Sequence, residues 1–154
     1  MLASGKESDF FVDCKQTVLL AEGHALVGAA MLAKLDELAE APDAVAGVEL
    51  GGCPLASAVA LTSQLRGSPL DAVYVRKGAK DHGSQRRLEG DAHLPAGAKV
   101  AVLEDVVTTG GSTLSAVEVL RAAGYRVVGV VALVDRREGG AEAIRAAGLT
   151  FVAI

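Results

Sequence analysis

The sequence predicts an α/β domain built on a central, mostly parallel sheet flanked by helices. Short apolar segments alternate with longer stretches of helix-forming composition along the chain. The apolar segments are continuously hydrophobic rather than half polar, as strands buried on both faces must be. The unusual residues, Gly51-Gly52-Cys53-Pro54, Arg76-Lys77, Glu104-Asp105 and Asp135-Arg136-Arg137, each directly follow such a segment, where a parallel sheet binds its ligands.

The elements follow in order. Alternation through Phe10, Phe11, Val12 and Asp13 predicts a short opening strand. EGHALVGAAMLAKLDELAEA, residues 22–41, is rich in helix formers and stops at Pro42. AVAGVEL, from Ala44, reads as a strand ended by Gly51-Gly52, and LASAVALTSQLRG as a helix closing on Gly67. Leu70 to Lys77 is the next strand. A polar stretch from Gly78 to Gly97 then interrupts the rhythm and reads as a mobile loop. It is far longer than the roughly 4 to 6 residues that usually connect elements, which points to function. KVAVLEDVV is a strand, Ser112 to Ala123 a helix, YRVVGVVALVD a strand, Ala141 to Ala147 a helix and LTFVAI a last strand.

At 154 residues the chain fits one domain, residues 1–154, and can bury a real core, hiding about two thirds of its unfolded surface. No apolar run approaches the roughly 20 residues of a membrane span and no signal peptide opens the sequence, so the reading is soluble and cytoplasmic. A net charge of −4 argues against general nucleic-acid binding, which needs a basic face. Cys14 and Cys53 lie far apart without a metal-ligand spacing and read as two buried, inert thiols.

Thr108-Thr109-Gly110-Gly111-Ser112 can wrap backbone N–H groups and hydroxyls around a phosphate where the helix macrodipole favours negative charge. It is neither a Walker A loop, lacking the lysine, nor G-x-G-x-x-G. Alone it could be a tight turn with Ser112 as N-cap. Glu104 and Asp105 just before it change the reading. Two carboxylates beside a phosphate make sense when they accept hydrogen bonds from sugar hydroxyls and a magnesium ion shares the site. A phosphorylated sugar supplies that mixture.

The run V-L-E-D-V-V-T-T-G-G-S-T-L resembles the phosphoribosyl pyrophosphate motif of the type I phosphoribosyltransferases. Gly51-Gly52-Cys53-Pro54-Leu55 falls where that superfamily has its pyrophosphate loop. VRKGAKDHG, LASGKESDFFVDCK and DRRE narrow the resemblance to the orotate phosphoribosyltransferases. It implies the type I phosphoribosyltransferase fold, with residues 1–20 as a small N-terminal hood over the base pocket and 78–97 as a mobile catalytic loop. It also implies magnesium as cofactor, orotate and phosphoribosyl pyrophosphate as substrates, and a homodimer whose loops reach into the neighbouring site. Carried over by position, Arg76, Lys77, Lys80 and His82 meet the pyrophosphate, with Lys80, Asp81 and His82 catalytic. Gly52 serves the pyrophosphate loop. Glu104 and Asp105 hold the ribose hydroxyls, and Thr108, Thr109, Gly110, Gly111 and Ser112 hold the 5-phosphate. Phe11 and Val12 line the base pocket, and Arg136 meets the orotate carboxylate. No direct metal ligand is assigned.

The chain departs from the family where many relatives have lysines, at Ala3 and Gly51, and it looks short at both ends. The alternatives are a purine phosphoribosyltransferase, which should lack R-K-x-x-K-D-H-G, and a non-catalytic sensor of phosphoribosyl pyrophosphate. Such a sensor normally needs a nucleic-acid-binding part.

Overall fold

The computed structural model describes residues 11–78 and 87–154. Its strands are β1 Ala44–Val48, β2 Asp71–Val75, β3 Leu88–Glu89, β4 Lys99–Val107, β5 Arg126–Asp135 and β6 Thr150–Ala153. They form one six-stranded sheet in the order β3-β2-β1-β4-β5-β6. Every pairing is parallel except that of β2 with β3. The expected α/β architecture is therefore present. Central β1 is buried at every position, which is why its sequence shows no polar alternation.

Period-two geometry sends neighbouring residues to opposite faces, and each face has its own helical cover. On one side Val45, Ala101, Leu103 and Val131 pack beneath α1 (Lys15–Val18), α2 (Ala21–Leu35) and α3 (Gly52–Leu65). Val27, Met31 and Leu35 fall on one stripe of α2, and Leu55 and Val59 on one stripe of α3. On the other side Ala44, Ala46, Val48, Val100 and Val102 meet Val117 and Leu120 of α4 (Gly111–Ala122) and Ile144 of α5 (Gly140–Ala146). Each fully buried valine, leucine, isoleucine or methionine among them contributes about 1.5–3 kcal/mol.

Several expectations need correcting. Phe11 to Asp13 form no strand; a carboxylate oxygen of Asp13 accepts the Lys15 N–H at 3.1 Å, and the chain turns into α1 instead. Phe10 lies outside the described residues. Helix α2 ends at Leu35, short of Ala41, and the chain after it bends so that Leu38 still reaches the core. The polar stretch is not one loop from Gly78 to Gly97. Its second half holds β3, which adds antiparallel to the edge of β2 through Tyr74–Glu89 and Val75–Leu88, and then a short helical turn at Asp91–His93. Residues 79–86 lie outside the described part.

Both cysteines are free; Cys14 is buried, but Cys53 is only half-buried, contrary to the reading of two buried thiols. Burial pushes both thiols above their usual pKa, which keeps them in the unreactive protonated form. No helix among the described residues is long and apolar enough to cross a membrane.

Candidate active site

In this strand order the chain turns from β1 towards β2 on one side, while β4 lies on the other. The crevice between the carboxyl ends of β1 and β4 is thus the topological switch point. A cavity of about 540 Å³ opens there. One wall comes from β4 and the turn into α4: Glu104, Asp105, Val106, Thr108, Thr109, Gly111 and Ser112. Facing it are Glu49, Leu50 and Gly51 after β1, with Lys77 after β2, while Phe11, Val12, Lys15 and Arg136 complete the lining.

The turn into α4 works through backbone shape. Gly110 takes φ of +82° at the N-cap, which favours glycine, and a Cβ there would also crowd the Gly140 carbonyl oxygen at 3.2 Å. Thr108 anchors the turn by accepting the Gly140 N–H at 2.9 Å. The open N-terminal N–H groups of α4 are thereby aimed at the cavity, a favourable seat for a phosphate.

The two acids behave differently. Glu104 is only 4% exposed, and its Oε1 accepts hydrogen bonds from Thr113 Oγ1 at 2.9 Å and Ser112 Oγ at 3.2 Å. Burial pushes its pKa from the ordinary 4.5 up to about 7, with neighbouring Asp105 adding to the rise; the Thr113 and Ser112 hydroxyls and Lys77 oppose it. Asp105 is half-buried, and its Oδ1 accepts the Val106 N–H at 2.9 Å. Its carboxylate lies directly over Gly51, where a Cβ would come within 1.9 Å of it, so this arrangement needs glycine at position 51.

The Glu104 shift has a measurable consequence in the ligand-free protein. Between about pH 4.5 and 7 the folded state holds a proton that the unfolded chain releases, so stability is greatest at the acid end and declines as pH rises through 7. Glu104→Gln removes that dependence. From about pH 5 to pH 8 the wild type is expected to lose up to about 3 kcal/mol relative to the variant, read from urea unfolding at each pH. Parallel pH profiles for the two proteins would place the titration elsewhere.

Arg136 is fixed from several directions. Its backbone N–H reaches the Val107 carbonyl at 3.0 Å, and its guanidinium pairs with Glu138 at 2.8 Å with the side chain only 6% exposed. Asp135 Oδ1 accepts the Arg137 N–H at 2.8 Å and shapes the turn that follows β5.

The structure therefore gathers Phe11, Val12, Lys77, Glu104, Asp105, Thr108, Thr109, Gly111, Ser112 and Arg136 around one cavity. It leaves others off the lining. Gly110 is buried behind the turn, and Gly52 is packed at the start of α3, where a Cβ would meet the Leu103 carbonyl oxygen at 2.4 Å. Arg76 faces a smaller cavity nearby and pairs with Glu89 at 3.5 Å. Lys80, Asp81 and His82 fall outside the described residues.

The reading of the sequence missed Lys15, Glu49 and Leu50 as lining residues, and had Gly51 only as part of the glycine loop after β1. Lys15 pairs with Asp13 at 2.7 Å, a bond that raises its pKa. Glu49 Oε2 accepts the Lys77 N–H at 2.9 Å and so ties the ends of β1 and β2 together. Glu49 is the first residue past β1 and its neighbours are apolar; its position after a parallel strand was the available signal.

The family model for the phosphoribosyl transferase domain matches residues 18–146. The orotate phosphoribosyltransferase of Sorangium cellulosum is 71% identical over 154 residues, covering 100% of this chain and 80% of that protein. That of a Nostoc species is 45% identical over 154 residues, covering 100% of this chain and 73% of the relative. Among solved structures, Mycobacterium tuberculosis orotate phosphoribosyltransferase in complex with 5-phospho-alpha-D-ribosyl 1-diphosphate superimposes with a TM-score of 0.78 at 37% identity. The match covers 92% of this chain and 78% of that one. With the family model spanning most of the chain and relatives of this identity spanning all of it, the chain belongs to the phosphoribosyl transferase domain family, among its orotate phosphoribosyltransferases.

Proposed function

We propose that the cavity between β1 and β4 carries out the family's reaction with a defined division of labour. Orotate and 5-phosphoribosyl 1-diphosphate give orotidine 5′-monophosphate and diphosphate, a pentosyl transfer of pyrimidine synthesis. The observation that carries this reading is the union, on one wall, of the Glu104-Asp105 pair with the open turn into α4. The turn from Thr108 to Ser112 holds the 5-phosphate through N–H groups and hydroxyls. Glu104 and Asp105 accept hydrogen bonds from the ribose hydroxyls. Phe11 and Val12 flank the base, and the Arg136 guanidinium pairs with its carboxylate.

In the transition state positive charge grows at the sugar C1 and negative charge on the departing diphosphate. Carboxylates beneath the ribose and the ammonium of Lys77 beside the diphosphate complement that separation. Lys80 and His82 complete the cationic side as catalytic residues of the segment after β2, Asp81 assists them there, and Arg76 and Gly52 serve the diphosphate end.

Phosphoribosyltransferases generally use magnesium with phosphoribosyl pyrophosphate, and the residues present fit that ion. No cluster of three or more His, Cys, Asp or Glu among the described residues forms a protein cage. Magnesium needs none, because it takes one or two carboxylates together with substrate oxygens and water. Half-buried Asp105 would supply that carboxylate, Glu104 being already engaged by two hydroxyls. When bound, the ion neutralises charge on the diphosphate.

The working unit is a two-fold dimer in which the segment after β2 reaches the partner's site. The position of Arg76, on that segment but off its own subunit's main cavity, suits this arrangement.

The test is loss of orotate absorbance with phosphoribosyl pyrophosphate and magnesium, run beside adenine, hypoxanthine and uracil. Orotate is consumed; turnover of a purine instead would overturn the assignment. In the same assay Arg136→Ala is expected to raise KM for orotate about tenfold or more while KM for phosphoribosyl pyrophosphate stays within about twofold. Equal rises in both would move Arg136 away from the base carboxylate.

A further inference from the structure

Beside the main cavity lies a smaller one of about 240 Å³, lined among others by Arg76, Lys77, Arg87, Ser112 and Ser115. It shares Lys77 and Ser112 with the main cavity. Arg87, just before β3, sits at the junction. The two backbones pair there through the Arg76 N–H and the Arg87 carbonyl at 2.8 Å, as an antiparallel ladder would. The side chain adds a second connection that the ladder does not require. Its Nε donates to the Arg76 carbonyl at 2.9 Å, and its Nη2 reaches Ser115 Oγ on α4 at 3.4 Å.

We propose that Arg87 is a positioning residue for the transfer, bracing the Arg76–Lys77 end of β2 against helix α4 and so setting Lys77 at a fixed place beside the phosphate turn. Ser115 lies three residues after Ser112, on the same face of α4, so the brace lands one turn beyond the phosphate seat. From the other side Glu49 Oε2 accepts the Lys77 N–H at 2.9 Å. The peptide carrying Lys77 is therefore held from both flanks, which an exposed, flexible lysine needs if its ammonium is to meet one oxygen repeatedly. Arginine suits the task because its planar fork presents two donors at a fixed angle; lysine offers the charge without the fork. The proposal rests on the main cavity being a phosphoribosyl pyrophosphate site.

The experiment is calorimetric titration of phosphoribosyl pyrophosphate with magnesium into wild type, Arg87→Gln, Arg87→Lys and Ser115→Ala, with steady-state kinetics and melting curves alongside. Arg87→Gln is expected to weaken binding and lower kcat/KM for phosphoribosyl pyrophosphate by about tenfold, with KM for orotate within about twofold. Arg87→Lys falls close to the Gln variant, because charge alone does not brace. Ser115→Ala, on the exposed side of α4, loses about threefold without disturbing the strand. Wild-type affinity in Arg87→Gln, or full recovery in Arg87→Lys, would overturn the brace. So would equal rises in both KM values accompanied by a lowered melting temperature, the mark of a merely structural role. Binding is read without turnover, so a wild type that binds phosphoribosyl pyrophosphate but leaves orotate untouched refutes the proposed reaction and leaves the brace to be judged on the same titrations.

Discussion

Asp105→Asn is expected to lower kcat/KM for phosphoribosyl pyrophosphate by about a hundredfold, close to 2.7 kcal/mol of transition-state stabilisation. The fold should hardly notice. Asp105 Oδ1 accepts the Val106 N–H at 2.9 Å, a bond the amide oxygen of asparagine can keep, and the side chain is of the same size above Gly51. What disappears is the negative charge proposed to face the ribose and the magnesium ion, and with it an acceptor that one amide nitrogen cannot replace. Urea midpoints for the two proteins should therefore agree while the rate constants part. An unchanged kcat/KM would mean that the acid is only a solvated strand end and that Glu104 alone serves the sugar.

Mixing two nearly inactive variants, Lys80→Ala and Asp105→Ala, is expected to restore about a quarter of wild-type activity. The reasoning is geometric. If the segment after β2 completes the partner's site, a mixed dimer has one site carrying both lesions and one carrying neither. Random exchange makes about half of the dimers mixed, and half of their sites intact, if sites act independently. Co-expression, or exchange followed by mass measurement to establish that mixed dimers are present, supplies the sample for the orotate assay. Mixed dimers with no more activity than either parent would confine each segment to its own subunit.

Much of the site was legible because its chemistry is local. The turn Thr108 to Ser112, the acids before it and the helix after it are contiguous, and each responds to neighbours a few residues away: Gly110 to its own positive φ, Ser112 and Thr113 to Glu104 one strand end back. Arg136 was equally readable as the first residue past a long apolar strand. Lys15 and Glu49 were not. Lys15 only closes the opening motif, Glu49 has no motif around it, and what brings both to the cavity is the folding of α1 and β1 beside β4.

Element boundaries divide the same way. β1, residues 100–103 of β4 and the middle of β5 could be read because burial on the two faces leaves a continuous apolar imprint. β3 has two residues, only one of them apolar, and exists because Tyr74 and Val75 offer an open edge and Arg87 reaches back to Arg76. The opening alternation of Phe11, Val12 and Asp13 was too short to compete with a carboxylate that caps the next turn.

By itself, then, the sequence determined the alternating architecture, the glycine-rich turn with its acids and the family. These depend on residue type at fixed spacing along the chain, where periodicity and capping act over a few residues. Only the tertiary structure decided the strand order that opens a crevice between β1 and β4, the burial that lifts Glu104 to about 7, and the bonds from Glu49 and Arg87 that hold the strand end bearing Lys77. Burial and long-range hydrogen bonds join residues separated by tens of positions, and no local pattern records which partners the closed sheet will bring together.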